Sequence, residues 1–282
     1  MFVHFFDCKI TFQYYFLFIF ALILIHLLQL KIFQLMKILV CIAQAPDTTA
    51  KIAFTDNNTK FNEQGVTYII NPYDEWYALV RALELKEAGA ATEVHLVTVG
   101  NPGAEAVMRK ALALGGDQAF RINTESHDTY LVASQIAAFA KDKGYDLILA
   151  GKESIDYNNA SVGATIAGVL DYNFVGFATS LNVEGSNVTV KREIEGGEET
   201  DTVTLPAVIS CQKGMAEARI PNMRGIMAAR TKPLNVVEPV ATDTLTEIVS
   251  YELPPAKTGV KLFNADQMDE LVEALHSQAK VI

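Results

Sequence analysis

Tyr145–Leu170, YDLILAGKESIDYNNASVGATIAGVL, is the stretch whose reading decides the fold. Leu147–Ala150 is a short apolar run of the kind that forms a buried parallel strand. From Gly151 a polar loop leads into a helix that starts between Ala160 and Ser161. In an open α/β sheet, ligands bind in the crevice beyond the carboxyl ends of the strands. The free N–H groups and partial positive charge of the next helix start suit a phosphate or pyrophosphate. The stretch therefore points to a nucleotide site. It also has a plainer reading, in which Ser161 is only a helix cap and Gly163 only permits close packing. No Gly-rich Walker or GxGxxG pattern is present to separate the two.

Upstream, Lys37–Ala43 is apolar throughout, as a central parallel strand is. It runs into the Pro-Asp turn Ala45-Pro46-Asp47-Thr48-Thr49. Asn71-Pro72-Tyr73-Asp74 is a helix start with Asn71 as the cap, and Trp76, Leu79, Val80 and Leu83 recur at helical spacing until Gly89. Val94–Val99 is the next strand, Gly100-Asn101-Pro102-Gly103 a turn, and Ala104–Leu114 a helix closed by Gly115-Gly116. Ala119–Ile122 then reads as a strand and Thr129–Lys143 as a helix. This alternation implies βαβ crossovers and a parallel sheet.

After Leu170 the pattern changes. Phe177–Val183, Val188–Ile194 and Thr200–Cys211 are β-rich, with hairpin turns at residues 184–187 and Gly196-Gly197, and are expected to extend the sheet as an antiparallel edge. Arg192, Glu193 and Glu195 read as an exposed charged face. In Gly214-Met215-Ala216 an apolar Met215 lies in a loop rimmed by Lys213, Glu217 and Arg219, the makings of a small docking patch. Asn222–Arg230 is a short basic helix, with Arg224, Arg230 and Lys232 available for acidic groups on a partner. From Asn235 a Pro-spaced extended arm leads to an amphipathic helix, Ala265–His276, expected to embrace another subunit.

Half of the 282 residues are hydrophobic, enough for a sizeable core, and the net charge of −10 argues against nucleic-acid binding, which needs clustered Lys and Arg. Cys8, Cys41 and Cys211 form no CxxC pair and there is no His cluster, which fits a reducing compartment and no structural metal. Cys41 and Cys211 end apolar runs and read as buried small hydrophobes. No GxSxG is present, and His95, His127 and His276 lie outside any recognisable motif, so no acid/base set is assigned.

Residues 1–35 differ from the rest: they hold eight of the fifteen Phe, no Gly and no Pro, and Tyr14–Leu30 is almost uninterrupted apolar sequence. Seventeen such residues are near the lower limit for a bilayer span. Asp7, Lys9 and Lys31 give little orientation bias, and no small-residue cleavage site follows. A mis-assigned start is preferred to a membrane anchor, with a cytoplasmic protein beginning near Met36 as the expectation and anchored attachment as the alternative.

NPYDEWYALVRALELKE, VKREIEGGEET and RIPNMRGIMAARTK, in this order around the opening stretch, resemble the electron-transfer flavoprotein beta family from about Met36 to the C-terminus. The resemblance implies a three-layer Rossmann-like fold of the adenine nucleotide alpha hydrolase type: a mostly parallel sheet with an antiparallel edge, a nucleotide-binding domain over 36–234 and a C-terminal arm over 235–282. It implies an electron carrier rather than an enzyme, since a bound flavin does the chemistry. The implied partners are an alpha subunit that holds or shares FAD and acyl-CoA dehydrogenase-type flavoproteins. In such families the beta subunit holds AMP or a second FAD. Carried over position by position, the nucleotide contacts fall on Cys41, Asp47, Asn71, Val99, Gly100 and the run Asp156, Tyr157, Asn158, Asn159, Ala160, Ser161, Val162 and Gly163, with Thr48 nearby. Asp156 would meet a ribose or orient the loop, and Asn158, Ser161 and the amides up to Gly163 would receive phosphate. Partner docking falls on Met215, where relatives often carry Leu, with Glu217 and Arg219.

Two departures leave the nucleotide open. Simple carriers read Asn-Gln-Thr where this chain has Ala160-Ser161-Val162. Bifurcating relatives read Ala-Gln-Val, yet Ser161 replaces their Gln and Tyr157 their usual Gly, so Tyr157 either stacks on a ring or crowds it. Two rivals come from other classes. An ATP-pyrophosphatase-type enzyme needs a Gly/Ser-rich loop after the first strand, and residues 43–46 read AQAP. A stress-type adenine-nucleotide module would act as a homodimer and would lack the long arm.

Overall fold

The computed structural model describes residues 36–155, 157–257 and 259–282. The hydrophobic stretch 1–35 and Asp156 lie outside the described residues. Among the described residues no helix is long and apolar enough to cross a membrane.

In chain order the elements are β1 (Met36–Cys41), β2 (Gln44–Pro46), β3 (Phe54–Thr55), β4 (Lys60–Phe61), β5 (Tyr68–Ile70), α1 (Glu75–Glu87), β6 (Ala91–Val99), α2 (Ala104–Leu114), β7 (Gln118–Ile122), α3 (Thr129–Ala140), β8 (Leu147–Gly151) and α4 (Val162–Leu170). There follow β9 (Asn173–Glu184), β10 (Asn187–Ile194), β11 (Gly197–Thr204), β12 (Ala207–Cys211), α5 (Met223–Ala229), β13 (Leu234–Val237) and α6 (Met268–Glu273), which continues as a π-helical turn, Ala274–Ala279. The chain divides into two compact units. The larger holds the residues up to Lys51 with Glu63–Ile248, and the smaller holds Ile52–Asn62 with Val249–Ile282.

In the larger unit, nine strands among the described residues form one sheet in the order β11-β10-β9-β12-β8-β1-β6-β7-β13. From β9 to β13 every neighbouring pair is parallel; β10 and β11 add the antiparallel edge. The period of two along β1 shows why the sheet needs cover on both sides. Ile38 and Val40 join an apolar cluster with Leu79 of α1 and Met108 of α2, while Leu39 and Cys41 join another with Ile136 of α3 and Ile166 of α4. Helices therefore lie on both faces of the sheet, giving three layers. Leu147, Ile148 and Leu149 of β8 are fully buried, each contributing about 1.5–3 kcal/mol of transfer free energy.

The structure corrects several expected boundaries. The segment Thr200–Cys211 is two strands, divided at Leu205-Pro206, a cis peptide. The second of them, β12, leaves the hairpin edge and inserts in parallel between β9 and β8. Proline has no amide to donate to a ladder, so one continuous strand was not available there. Strand β9 begins four residues before Phe177, at Asn173. The cap of α1 is Asp74, not Asn71. Helix α3 stops at Ala140, because Asp142 and Gly144 turn the chain at φ of 60° and 66°. The stretch after Asn235 is not simply extended, since β13 completes the sheet beside β7. In the smaller unit β3 and β4 pair antiparallel, Tyr251 stacks on Phe54 at 4.9 Å, and its amide donates to Asn58 O at 2.7 Å.

Candidate functional site

The parallel register places the carboxyl ends of β1, β6, β8 and β12 along one edge of the sheet. Cys41 pairs with Val97, Ser210 with Ala150, and Cys211 with Gly151. The loops that leave these ends carry nearly all of the nucleotide candidates.

Asn71 is fully buried and both ends of its amide are engaged. Its Oδ1 accepts from the Tyr73 amide at 2.9 Å, and its Nδ2 donates to Glu153 O at 2.8 Å. Asp74 accepts from the Glu153 amide at 3.3 Å. Burial pushes its carboxyl above the usual range against the lowering effect of that bond. The Lys152 amide donates to Cys211 O at 2.8 Å. Asn71 and Asp74 thus hold the loop after β8 against the start of α1. Gly151 makes that approach feasible, since a Cβ there would sit 2.9 Å from Glu75 Cγ and 3.1 Å from Asp74 Cβ.

Beyond this clamp the loop rises towards α4. The Tyr157 hydroxyl bonds His127 Nδ1, and the two rings lie tilted with centroids 5.2 Å apart. Asn159 Nδ2 donates to Thr129 Oγ1 at 3.0 Å. Asn158 and Ala160 hold φ of 54° and 49°, a left-handed backbone unusual for alanine. Ser161 occupies the N-cap of α4 yet makes no side-chain cap hydrogen bond. The plain reading of Ser161 as a side-chain cap therefore does not describe it, and among the described residues no side chain accepts from the N–H groups of the first turn. Gly163 packs beneath, where a Cβ would meet Phe174 Cε2 at 3.3 Å.

Cys41 ends β1 in the apolar layer. Burial, and next the nearby Glu75 carboxylate, push its thiol up to about 12, so it is protonated at neutral pH. Burial also raises Cys211. Both are the buried small hydrophobes the sequence suggests. Asp47 accepts from the Thr49 amide at 2.9 Å and the Thr49 hydroxyl at 2.7 Å, bonds that hold its carboxyl below the usual range. Val99 ends β6 and Gly100 follows it, where Arg121, itself buried, donates to Gly100 O at 3.0 Å.

One contributor is absent from the sequence reading. Gln44, opposite Ile70 in the β2–β5 ladder, has its Oε1 buried with no hydrogen-bond partner among the described residues. It lies beside the β6–α2 turn, where a Cβ on Gly103 would sit 4.0 Å from it. A buried acceptor without a donor costs about 1–3 kcal/mol. Only the position of Gln44 after an apolar strand could have signalled it.

The docking loop departs from expectation. Met215 is 5% exposed and belongs to the main apolar cluster. Gly214, at φ of 106°, turns the chain so that the Met215 amide bonds back to Gln212 O at 3.2 Å. Its side chain is thereby directed inward, and it is not an exposed anchor. Arg219 pairs in a fork with Glu87 at 2.7 and 2.9 Å, while its carbonyl accepts from Trp76 Nε1 at 3.1 Å. Ala216 and Glu217 instead line a cleft of about 740 Å³ with Tyr73, Tyr77, Lys152 and Lys213. The expected charged face on the hairpin is present, with Arg192 paired to Glu199 and Asp201.

Against this geometry the chain is similar to known proteins along nearly all of its length. The Electron transfer flavoprotein domain matches residues 58–242. The electron transfer flavoprotein subunit beta of Syntrophomonas wolfei is 36% identical over 250 residues, covering 87% of this chain and 98% of that protein. The protein of the same name from Bacillus subtilis is 37% identical over 261 residues, 88% of this chain and all of its own length. The caffeyl-CoA reductase-Etf complex subunit CarD of Acetobacterium woodii is 32% identical over 259 residues, 87% of this chain and 98% of its own. Such coverage does not favour the homodimeric stress-type module. With its three-layer sheet and its motifs in order, the chain belongs to the electron transfer flavoprotein family, as one of its beta subunits.

Proposed function

We propose that this beta subunit holds an adenine nucleotide, AMP or the adenosine half of a second FAD, in the crevice beyond β1, β6 and β8. The uncapped start of α4 carries the reading. Its free amides and dipole favour a phosphate, and Ser161, not engaged as a cap, has its hydroxyl available. Asn158 adds a polar side chain, while Asn71 positions the loop. The residues present fit a nucleotide.

The second part of the proposal is heterodimeric. The chain works with an alpha-type subunit that holds or shares FAD, and it passes electrons without a nucleophile or acid/base set of its own. Flavin, when bound, supplies the one- and two-electron chemistry, while the protein supplies position and exclusion of water. The Acetobacterium woodii relative is named for a caffeyl-CoA reductase complex. Acyl-CoA dehydrogenase-type flavoproteins are the electron-transfer partners proposed here. Docking falls on the loop that carries Glu217, whose side chain borders the cleft, and not on Met215.

Co-expression with an alpha-type subunit, followed by denaturation and quantification of released FAD and AMP, tests both parts. One FAD with one AMP identifies a simple carrier, and two FAD a subunit with its own redox flavin. A protein that ignores the alpha subunit and releases neither nucleotide would overturn the proposal.

A further inference from the structure

Three consecutive residues, His127, Asp128 and Thr129, touch two otherwise separate parts of the larger unit. On one side they hold the loop before α4: His127 Nδ1 bonds the Tyr157 hydroxyl, and Thr129 Oγ1 accepts from Asn159 Nδ2 at 3.0 Å. On the other side Asp128, 2% exposed, holds the segment after β13. Its Oδ2 accepts from the Leu245 amide at 3.2 Å, the Thr246 amide at 2.7 Å and the Thr246 hydroxyl at 2.6 Å. Its Oδ1 accepts from the Leu131 amide at 2.6 Å and caps α3. Four donors converge on one carboxylate, three of them on Oδ2. Two turns along α3, buried Gln135 grips the same segment, accepting from the Val240 amide at 2.8 Å and donating to Val240 O at 2.7 Å.

Residues 238–248 have no regular secondary structure and little of their own to hold them. The side chains of Asp128 and Gln135 supply their hydrogen bonds to α3. The position of Asp128 is in turn fixed by the start of α3, which is the point to which Tyr157 and Asn159 attach. A ligand that fixes the Tyr157–Ser161 loop would restrain the residues on both sides of Asp128.

We infer that His127-Asp128-Thr129 is a positioning relay through which nucleotide in the α4 crevice orders the segment Val240–Thr246. The relay rests on the nucleotide reading given above. Linkage makes it reciprocal: whatever factor the nucleotide adds to the closed state of the clasp, the clasp adds to nucleotide affinity.

The test uses the full chain with its alpha-type subunit, stripped of nucleotide and then loaded with AMP or, separately, FAD. Amide hydrogen exchange over residues 240–248 and the dissociation constant are read together. On loading, exchange at Leu245 and Thr246 is expected to slow by about fivefold or more, the lower end of ordinary coupling. His127→Phe, which keeps a ring but lacks Nδ1, should reduce that response. Thr246→Val, distant from the nucleotide loop and conservative in shape, should weaken binding by a factor similar to the lost protection. A purely structural clasp would leave affinity unmoved in Thr246→Val. Binding with no change in exchange would overturn the relay and leave the nucleotide reading standing. Failure of both AMP and FAD to bind would overturn the nucleotide reading and remove the relay's input.

Discussion

The two ends of the parallel strands differ in how completely their polar groups are matched. Towards the amino ends, Asp146 accepts from the Lys37 amide at 2.9 Å, Asp117 takes the Lys86 ammonium and the Val94 amide, and His95 Nδ1 lies 2.9 Å from the Tyr145 hydroxyl. At the carboxyl ends an alanine holds a left-handed backbone, Ser161 leaves α4 without a side-chain cap, and Gln44 Oε1 is buried without a partner. One end is built for stability, and the other leaves bonds for something not made of this chain. Protein interiors satisfy nearly all of their polar groups; Arg81 Nε and Ser134 Oγ are also buried without a partner among the described residues, so the carboxyl end is marked by its left-handed loop and open helix start together rather than by unmatched atoms alone.

The largest expected effect comes from breaking the frame of the carboxyl end. Gly151→Val would drive a branched side chain into Glu75 and Asp74, which lie about 3 Å from the position of a Cβ. Overpacking of this kind costs about 1–3 kcal/mol. It should also displace the loop that Asn71 holds, so urea unfolding should show lost stability and the purified complex should carry less nucleotide. Unchanged nucleotide content in that variant would detach the loop from the site.

Tyr145→Phe acts at the other end. It removes the hydroxyl beside His95 and leaves a buried ring nitrogen unmatched, at a cost of about 1–3 kcal/mol. Stability should fall while nucleotide content stays at one equivalent. A loss of nucleotide in Tyr145→Phe would erase the distinction between the two ends.

The smallest effect is in pH. Burial, and next the Lys37 charge, pull the His95 pKa below its ordinary 6.5. As pH falls the unfolded chain therefore takes up the proton first. The stability linked to His95 is complete above that value and declines below it. Unfolding midpoints at about pH 7.5 and about pH 5.5 should differ less in His95→Phe than in the parent protein. An equal difference in both would assign the dependence to other groups.

Much of the fold is legible in local sequence. Apolar runs such as Leu147–Ala150 and Gly punctuation at 89 and 115–116 locate β8, α1 and α2, because burial and backbone freedom act over a few residues. The site is legible more coarsely: the loop after β8 was found, but not what its residues do. Asn71 reads as a cap and turns out to tie Glu153 across 82 residues. Met215 reads as exposed, yet one glycine φ directs it inward. Asp128 carries an ordinary N-cap signal, but its bonds to Leu245 and Thr246 span more than a hundred residues and leave no local trace. Partners far apart in sequence are set by the register of the sheet, which periodicity does not reveal.

The most direct measurement of the central claim is the nucleotide content of Ser161→Asp beside its melting temperature, in the complex with the alpha-type subunit. Aspartate at that N-cap would bond the free amides of α4 and complement its dipole, a gain of about 0.5–1 kcal/mol. The same charge would repel a phosphate. The expected result is loss of this subunit's nucleotide from the complex as purified, with a melting temperature unchanged or raised when both proteins are compared after nucleotide has been stripped. A complex that melts normally and still releases its full complement would show that the nucleotide does not sit at the start of α4.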